Sequence, residues 1–154
     1  MTKEFFYCNN HMSMTLEDAI RHCTSLEEFE KMFSEDFLND DCRVGNYIED
    51  LLWKYNRKKS SVSVEAGFHP SYVGNVVNRI KNNPSRDALI RICFAIGTTF
   101  DEAQYLLKYA GHAPLYVRNK RDVIIWFGFM KGQSLDDVEK ALIDRGLMTL
   151  FGDK

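Results

Sequence analysis

Apolar residues recur at three- and four-residue spacing along most of the chain, which is the period of an amphipathic α-helix. The clearest case is residues 44–56, VGNYIEDLLWKYN, whose apolar positions share one helical face: Val44, Tyr47, Ile48, Leu51, Leu52 and Tyr55. The alternation typical of a strand is scarce, with Ser61–Val64 as its best example. The pattern therefore predicts an all-α fold.

Capping residues mark where the predicted helices begin and end. Ser25 precedes LEEFEKMF and Glu28 follows three residues later, which is the pattern of a capping box. Thr99 precedes another periodic segment, and Gly97 and Gly111 each follow one. Glycine is common there because it adopts the left-handed conformation that closes a helix.

The last third of the chain contains an internal repeat. Residues 86–111 and 121–146 align without a gap at an offset of 35 positions. The identical pairs include Arg86/Arg121, Asp87/Asp122, Ile90/Ile125, Phe94/Phe129, Gly97/Gly132, Asp101/Asp136, Leu107/Leu142 and Gly111/Gly146. We expect each copy to be a helical hairpin, with the second packed on the first and extending its core.

Charge is distributed unevenly although the net charge is only −2. Residues 1–42 carry three basic and ten acidic side chains, whereas residues 43–154 carry seventeen basic and twelve acidic ones. Two interpretations of the acidic arm stay open: a solvated pair of helices, or a segment that competes with DNA for basic residues. In the second case, deleting residues 1–42 tightens DNA binding at low salt.

Composition excludes several classes of protein. No run approaches the roughly 18 apolar residues of a membrane span, and the N-terminal sequence lacks the features of a secretory signal. A cytoplasmic protein is therefore expected. A zinc site could be drawn from Cys8, His11, His22 and Cys23, but adjacent ligands suit no common zinc spacing. No phosphate-binding loop or hydrolase motif is present, so we expect no cofactor, no metal and no enzymatic activity.

A glycine turn between two short helices lies at the centre of the chain. Ser63 and Ala66 are small enough for two helices to cross closely, and Gly67 permits the backbone of a tight turn. Pro70 is predicted to open the second helix, because the first helical position tolerates a missing N–H. A second helix held in this way can lie in the major groove of DNA.

This segment, KSSVSVEAGFHPSYVGNVVN at residues 59–78, resembles the phage-repressor-like (Xre/Cro) helix-turn-helix family. The residues that carry the resemblance are the turn residues Ala66, Gly67 and Phe68 and the apolar positions Val62, Val73 and Val76. The likeness extends over about residues 44–111. It implies a repressor-like five-helix helix-turn-helix domain that binds duplex DNA.

The resemblance supplies two sets of candidate contacts. The candidates for base edges are Pro70, Ser71, Tyr72, Asn75 and Asn78. Asparagine can pair bidentately with adenine, serine reads bases less specifically, and a sugar or a thymine methyl is an alternative contact for Tyr72. The candidates for phosphates are Arg57, Lys58, Lys59, Arg79 and Lys81. Phosphate contacts fix register and affinity rather than sequence choice.

The predicted organisation is an acidic helical arm at 1–42, a helix-turn-helix domain at 43–111 and a C-terminal helical hairpin at 112–154. The resemblance implies a bacterial or phage-derived transcription regulator. A homodimer is expected, with Trp126, Phe127 and Phe129 as candidate interface residues.

The alternative is a helix-turn-helix scaffold that binds a protein, such as an antitoxin-like partner or a signalling adaptor, with weak or no DNA binding. It is favoured by the lack of Arg or Lys between His69 and Asn78. Such a partner could bind the acidic arm or the C-terminal hairpin.

Overall fold

A computed structural model describes residues 20–33, 43–78 and 84–152, and within these ranges the regular secondary structure is helical throughout. The helices are α1 Leu26–Phe33, α2 Arg43–Lys54, α3 Lys59–Glu65, α4 Tyr72–Val77, α5 Arg86–Ile96, α6 Phe100–Tyr109, α7 Lys120–Met130 and α8 Leu135–Asp144. Residues 20–22 are also helical. The predicted all-α class is thus confirmed for the described residues, and the alternating segment at 61–64 lies within α3.

The chain divides into two compact units, residues 1–42 and 43–154. In the first unit, the Ser25 hydroxyl accepts a hydrogen bond from the Glu28 amide at 3.1 Å, which confirms the predicted cap of α1. The Glu28 carboxylate accepts from the Thr24 amide at 2.8 Å, one residue earlier than a standard capping box requires. Most of the residues before α1 lie outside the described ranges.

In the second unit, α2 contributes a continuous apolar face to the core. Tyr47, Ile48, Leu51 and Leu52 are buried, as the helical periodicity predicted, and α2 packs against α4 and α6. Gly45 allows α2 to approach α4 closely, since a Cβ placed there would lie 2.8 Å from the carbonyl oxygen of Val77.

Both copies of the repeat form helical hairpins, α5–α6 and α7–α8, with the predicted caps. Thr99 and Ser134 each begin the second helix of their copy with a complete capping box. Gly97 follows α5 with a φ of 89°, a backbone conformation that favours glycine. Asn119, which sequence reasoning did not identify, accepts from the Asp122 amide and caps α7.

The second hairpin packs on the first and extends its core, as predicted. Helix α7 contacts α6, and α8 contacts α5. Equivalent apolar residues of the two copies are fully buried, among them Ile90 and Ile125. Polar residues at equivalent positions of the two copies also make the same hydrogen bond. Gln104 accepts from the Leu115 amide in the first copy, and Glu139 accepts from the Leu150 amide in the second.

Candidate nucleic-acid interface

A single buried hydroxyl ties α3 to α4. Ser63 Oγ donates to the Lys59 carbonyl oxygen at 2.8 Å within α3 and accepts from the Val73 amide of α4 at 3.0 Å. Val73 lies in the first turn of α4, where an amide lacks an intrahelical partner. The serine therefore satisfies this donor and fixes the position of α4 relative to α3.

Helix α4 begins two residues later than predicted. Pro70 and Ser71 lie in a turn that is closed by a 2.9 Å hydrogen bond from the Tyr72 amide to the His69 carbonyl oxygen. The predicted helix start at Pro70 is therefore wrong. His69 Nδ1 accepts from the Ser71 amide at 3.2 Å and lies 2.8 Å from the Ser71 hydroxyl. The histidine thus satisfies a backbone amide in the turn that precedes α4, while the Ser71 side chain makes no capping hydrogen bond.

Four side chains form a stack beside the glycine turn. The Tyr72 ring stacks on the Phe68 ring, with centroids 3.9 Å apart. The Arg91 guanidinium lies between two rings, 3.9 Å from the centroid of Phe68 and 4.0 Å from that of Phe151. Cation–π attraction favours this placement. We call these residues the aromatic–arginine stack.

The stack also holds the turn by hydrogen bonds. Arg91 Nε donates to the Ala66 carbonyl oxygen at 2.9 Å, and its Nη2 donates to that of Gly67 at 3.2 Å. A Cβ at Gly67 would lie 2.3 Å from Phe151 Cε1, so glycine is required both by this contact and by its φ of 84°. The turn is thus fixed by residues from α5 and from the C-terminal segment.

Burial in the stack changes the ionisation of two of its members. Desolvation raises the pKa of Tyr72, and the nearby Arg91 charge partly offsets this. Desolvation lowers the pKa of Arg91. Sequence reasoning missed Arg91 and Phe151, because each lies far along the chain from the turn that it contacts.

The five base-edge candidates lie together on the turn and on α4, but they differ in exposure. Pro70, Ser71 and Asn78 are exposed, and Asn75 is half-buried. Tyr72 is half-buried with one ring face against Phe68. Asn78 ends the helix.

The phosphate candidates differ in how many of their charged groups already have intramolecular partners. Arg57 donates to the Ala95 carbonyl oxygen at 2.6 Å and forms an ion pair with Glu65, so it links α5 to the segment before α3. Lys59 lies 3.2 Å from a carboxylate oxygen of Glu49. Lys58 is exposed and forms no ion pair with any described residue. Arg79 and Lys81 lie outside the described ranges.

The three predicted dimer residues face different environments. The Trp126 ring stacks on Phe100 at 4.3 Å, and the Phe129 ring stacks on Phe94 at 4.0 Å, so both contribute to packing between the two copies of the repeat. Phe127 is 55% exposed. Of the three, Phe127 therefore offers the most surface to a partner.

Within the described ranges, no three His, Cys, Asp or Glu side chains are grouped so that they could hold a metal ion. None of the described helices combines the length and apolar character needed to cross a bilayer. No known family model, curated protein or solved structure matches the chain.

Proposed function

We propose that helices α2 to α6 form a repressor-like helix-turn-helix domain and that the protein binds duplex DNA with α4 in the major groove. The observation that carries the proposal is the Ser63 hydroxyl, which holds α4 against α3 from inside. A recognition helix needs this rigidity, because base contacts require a fixed position relative to the phosphate backbone.

The exposed side of this segment carries groups suited to DNA. Asn78 presents its amide to solvent, and Asn75 is half-exposed. Ser71 is exposed as well, although its hydroxyl also forms a hydrogen bond with His69 Nδ1. Hydroxyl and amide groups can read base edges, with asparagine favouring adenine. Lys58 precedes α3 and supplies a cation for a phosphate. Transcriptional regulation is the role that we propose for such binding.

A second candidate function, a scaffold that binds a protein, is favoured by a specific observation. Arg57 and Tyr72 already have intramolecular contacts, and α4 has no Arg or Lys. The cationic and aromatic groups available for DNA are therefore fewer than the sequence alone suggested. In this case, the helical frame is retained and DNA affinity is weak or absent.

The test is a fluorescence-anisotropy titration of the full chain with random duplexes at two salt concentrations, followed by selection and sequencing of the bound DNA. Salt-dependent binding with an enriched motif supports the proposal. Asn78→Ala should then relax the motif at one position, whereas Asn46→Ala, which removes an exposed amide on α2, should not. No binding at low salt by folded protein favours the scaffold.

Dimerisation through the C-terminal hairpin stays a prediction. A dimer would bring two copies of α4 to half-sites about 10 base pairs apart, and the selected DNA would then be palindromic. A motif without symmetry would indicate that one chain binds one site.

A further inference from the structure

Equivalent surfaces on the first helices of the two copies differ in burial. In α5, Ala88, Leu89 and Ile92 are buried, and α3 packs against this helix. The counterparts in α7, thirty-five positions later, are Val123, Ile124 and Phe127. They are still apolar, yet Val123 and Ile124 are only partly buried and Phe127 is 55% exposed.

Two of these three residues line a groove. Val123 and Ile124 line it together with Val117 from the preceding loop and Leu147 after α8, and its volume is about 440 Å³. Phe127 extends the apolar surface by one turn along α7, and Met130 extends it by a further turn with 62% of its surface exposed. Phe127 and Met130 thus follow the groove at three-residue spacing on α7, and apolar residues grouped beside a groove in this way are a more specific sign of an interaction site than single exposed ones.

The edge of the groove is positively charged. Arg118, Lys120 and Arg145 line it, and Lys131 lies 5.5 Å from the centre of the Phe127 ring. None of these four cations forms an ion pair with a described residue. On α7 itself, the outward-facing positions carry no acidic residue, since Asp122 is buried.

The shape and the positive charge of the groove together indicate which kind of segment binds in it. In the first copy, the equivalent helix is covered by a helix, α3, so a helix has the shape that this type of hairpin accommodates. A second copy of this chain placed with α7 against α7 would bring the same cations together, which is unfavourable because like charges repel at an interface. This argues against Phe127 as the contact of the predicted homodimer, so the two interpretations of this surface are alternatives. A helix with acidic flanks would neutralise them.

We propose that the groove along α7 binds an amphipathic helix of a partner protein, with apolar anchors over Ile124 and Phe127 and acidic side chains facing Lys120 and Lys131. This is a helix-in-groove mode, in which the partner contributes apolar residues at i, i+3, i+4 and i+7. The proposal does not depend on DNA binding, because no residue of α3 or α4 takes part.

The test uses the full chain and a fluorescein-labelled synthetic helix that has leucine at i, i+3, i+4 and i+7 and glutamate at the flanking positions. A scrambled peptide of the same composition controls for charge alone. We expect the acidic helix to bind and the scrambled peptide to bind at least about tenfold more weakly. Phe127→Ser should weaken binding of the helix about tenfold, as removal of a central aromatic anchor does.

Two further variants control for fold and charge. Val64→Ser removes an apolar side chain of similar exposure on α3 and should leave peptide affinity unchanged. Lys120→Glu should weaken the glutamate peptide and strengthen a matched lysine peptide. Circular dichroism confirms that each variant is folded.

Three outcomes would overturn the proposal. The first is equal binding of the scrambled peptide, and the second is unchanged affinity in Phe127→Ser. The third is a dimer in sedimentation velocity that Phe127→Ser converts to a monomer, because a second copy would then be the occupant.

Discussion

Arg86 and Asp122 form a bidentate ion pair between the two copies of the repeat, with nitrogen–oxygen distances of 3.1 and 2.9 Å. Arg121 and Asp87, the residues at the equivalent positions, form the reciprocal pair at the same distances. The arginine of each copy thus binds the aspartate of the other. The two hairpins are related by an internal two-fold arrangement, as in an isologous contact between two subunits.

The same arginines also hold the loop that follows their own hairpin. Arg86 donates to the carbonyl oxygens of Ala113 and Pro114, and Arg121 donates to those of Met148 and Thr149. These acceptors are again thirty-five positions apart. Each guanidinium therefore joins three segments, and the Arg-Asp dipeptide has the same structural role in both copies.

The reciprocal pairs should differ in their contribution to stability. Asp122 has 8% of its side chain exposed and also accepts from the Tyr116 amide, whereas Asp87 is 29% exposed. We expect Asp122→Asn to reduce the free energy of unfolding by about 2 kcal/mol, because the carboxylate that is lost is shielded from solvent and accepts charge-assisted hydrogen bonds from Arg86 as well as one from the Tyr116 amide. Asp87→Asn should cost about 1 kcal/mol, since solvent screens that pair. Urea denaturation measures both, and equal costs would contradict the role of burial.

The aromatic–arginine stack predicts that arginine cannot be replaced by lysine at position 91. Arg91→Lys keeps the charge but loses the planar group that lies between two rings and donates to two carbonyl oxygens. We expect a loss of about 1 to 2 kcal/mol in the free energy of unfolding. Lys108→Arg, at an exposed position on α6, is a control that should be neutral. A neutral Arg91→Lys would show that the stack contributes little.

The local parts of this fold could be predicted from the sequence, whereas the long-range contacts could not. Thr99 and Gly97 act within one turn of their own helix, so their pattern is visible in the sequence. Phe151 contacts the glycine turn, although more than eighty positions separate them in the sequence. No local sequence pattern around either segment predicts this contact. For the same reason, Arg57 was predicted to meet phosphate, although its partner Ala95 lies within another helix.

The candidate site could be predicted in outline for a related reason. Val62, Val73 and Val76 occupy the apolar positions of two short helices around a glycine, and all three are buried. The stacking of Tyr72 on Phe68 could not be predicted, because the two rings are brought together by the shape of the turn rather than by helical spacing.

Two glycines should respond to alanine in opposite directions. A Cβ at Gly74 would meet nothing within 4 Å, so Gly74→Ala should stabilise the protein by up to about 1 kcal/mol through better helix propensity. At Gly45 the Cβ would meet the Val77 carbonyl oxygen, and we expect Gly45→Ala to cost about 1 to 3 kcal/mol through overpacking. Thermal denaturation distinguishes them. If Gly74→Ala stabilises the fold yet weakens DNA binding, α4 approaches DNA closely at this position.

Glu102 should make stability depend on pH in the acidic range. Burial alone would raise the pKa of this carboxyl group, but hydrogen bonds from Lys54, Tyr55 and the Thr99 amide outweigh it and lower the pKa. Because the pKa is lower in the folded state, the ionised carboxylate stabilises the fold fully at pH values above the unfolded-state pKa of about 4.3. This stabilisation is lost as the pH falls through the folded-state pKa. Glu102→Gln should therefore lower stability at pH 7 and reduce its fall towards about pH 3. Urea midpoints at several pH values test this, and an unchanged pH dependence would contradict it.

Substitutions of the adjacent residues Arg57 and Lys58 should have different effects, one on stability and the other on DNA binding. Lys58 is exposed, so Lys58→Ala should leave the free energy of unfolding within about 0.5 kcal/mol of the wild-type value. If Lys58 contacts a phosphate, the same change weakens binding to all duplexes alike and lowers the slope of log affinity against log salt by about 1. Arg57→Ala should instead cost about 1 to 2 kcal/mol of stability, because the Ala95 carbonyl oxygen and Glu65 lose a charged donor. An unchanged salt slope in Lys58→Ala would show that Lys58 does not contact a phosphate. If Arg57→Ala is stable but binds DNA more weakly, Arg57 contacts DNA in spite of its intramolecular partners.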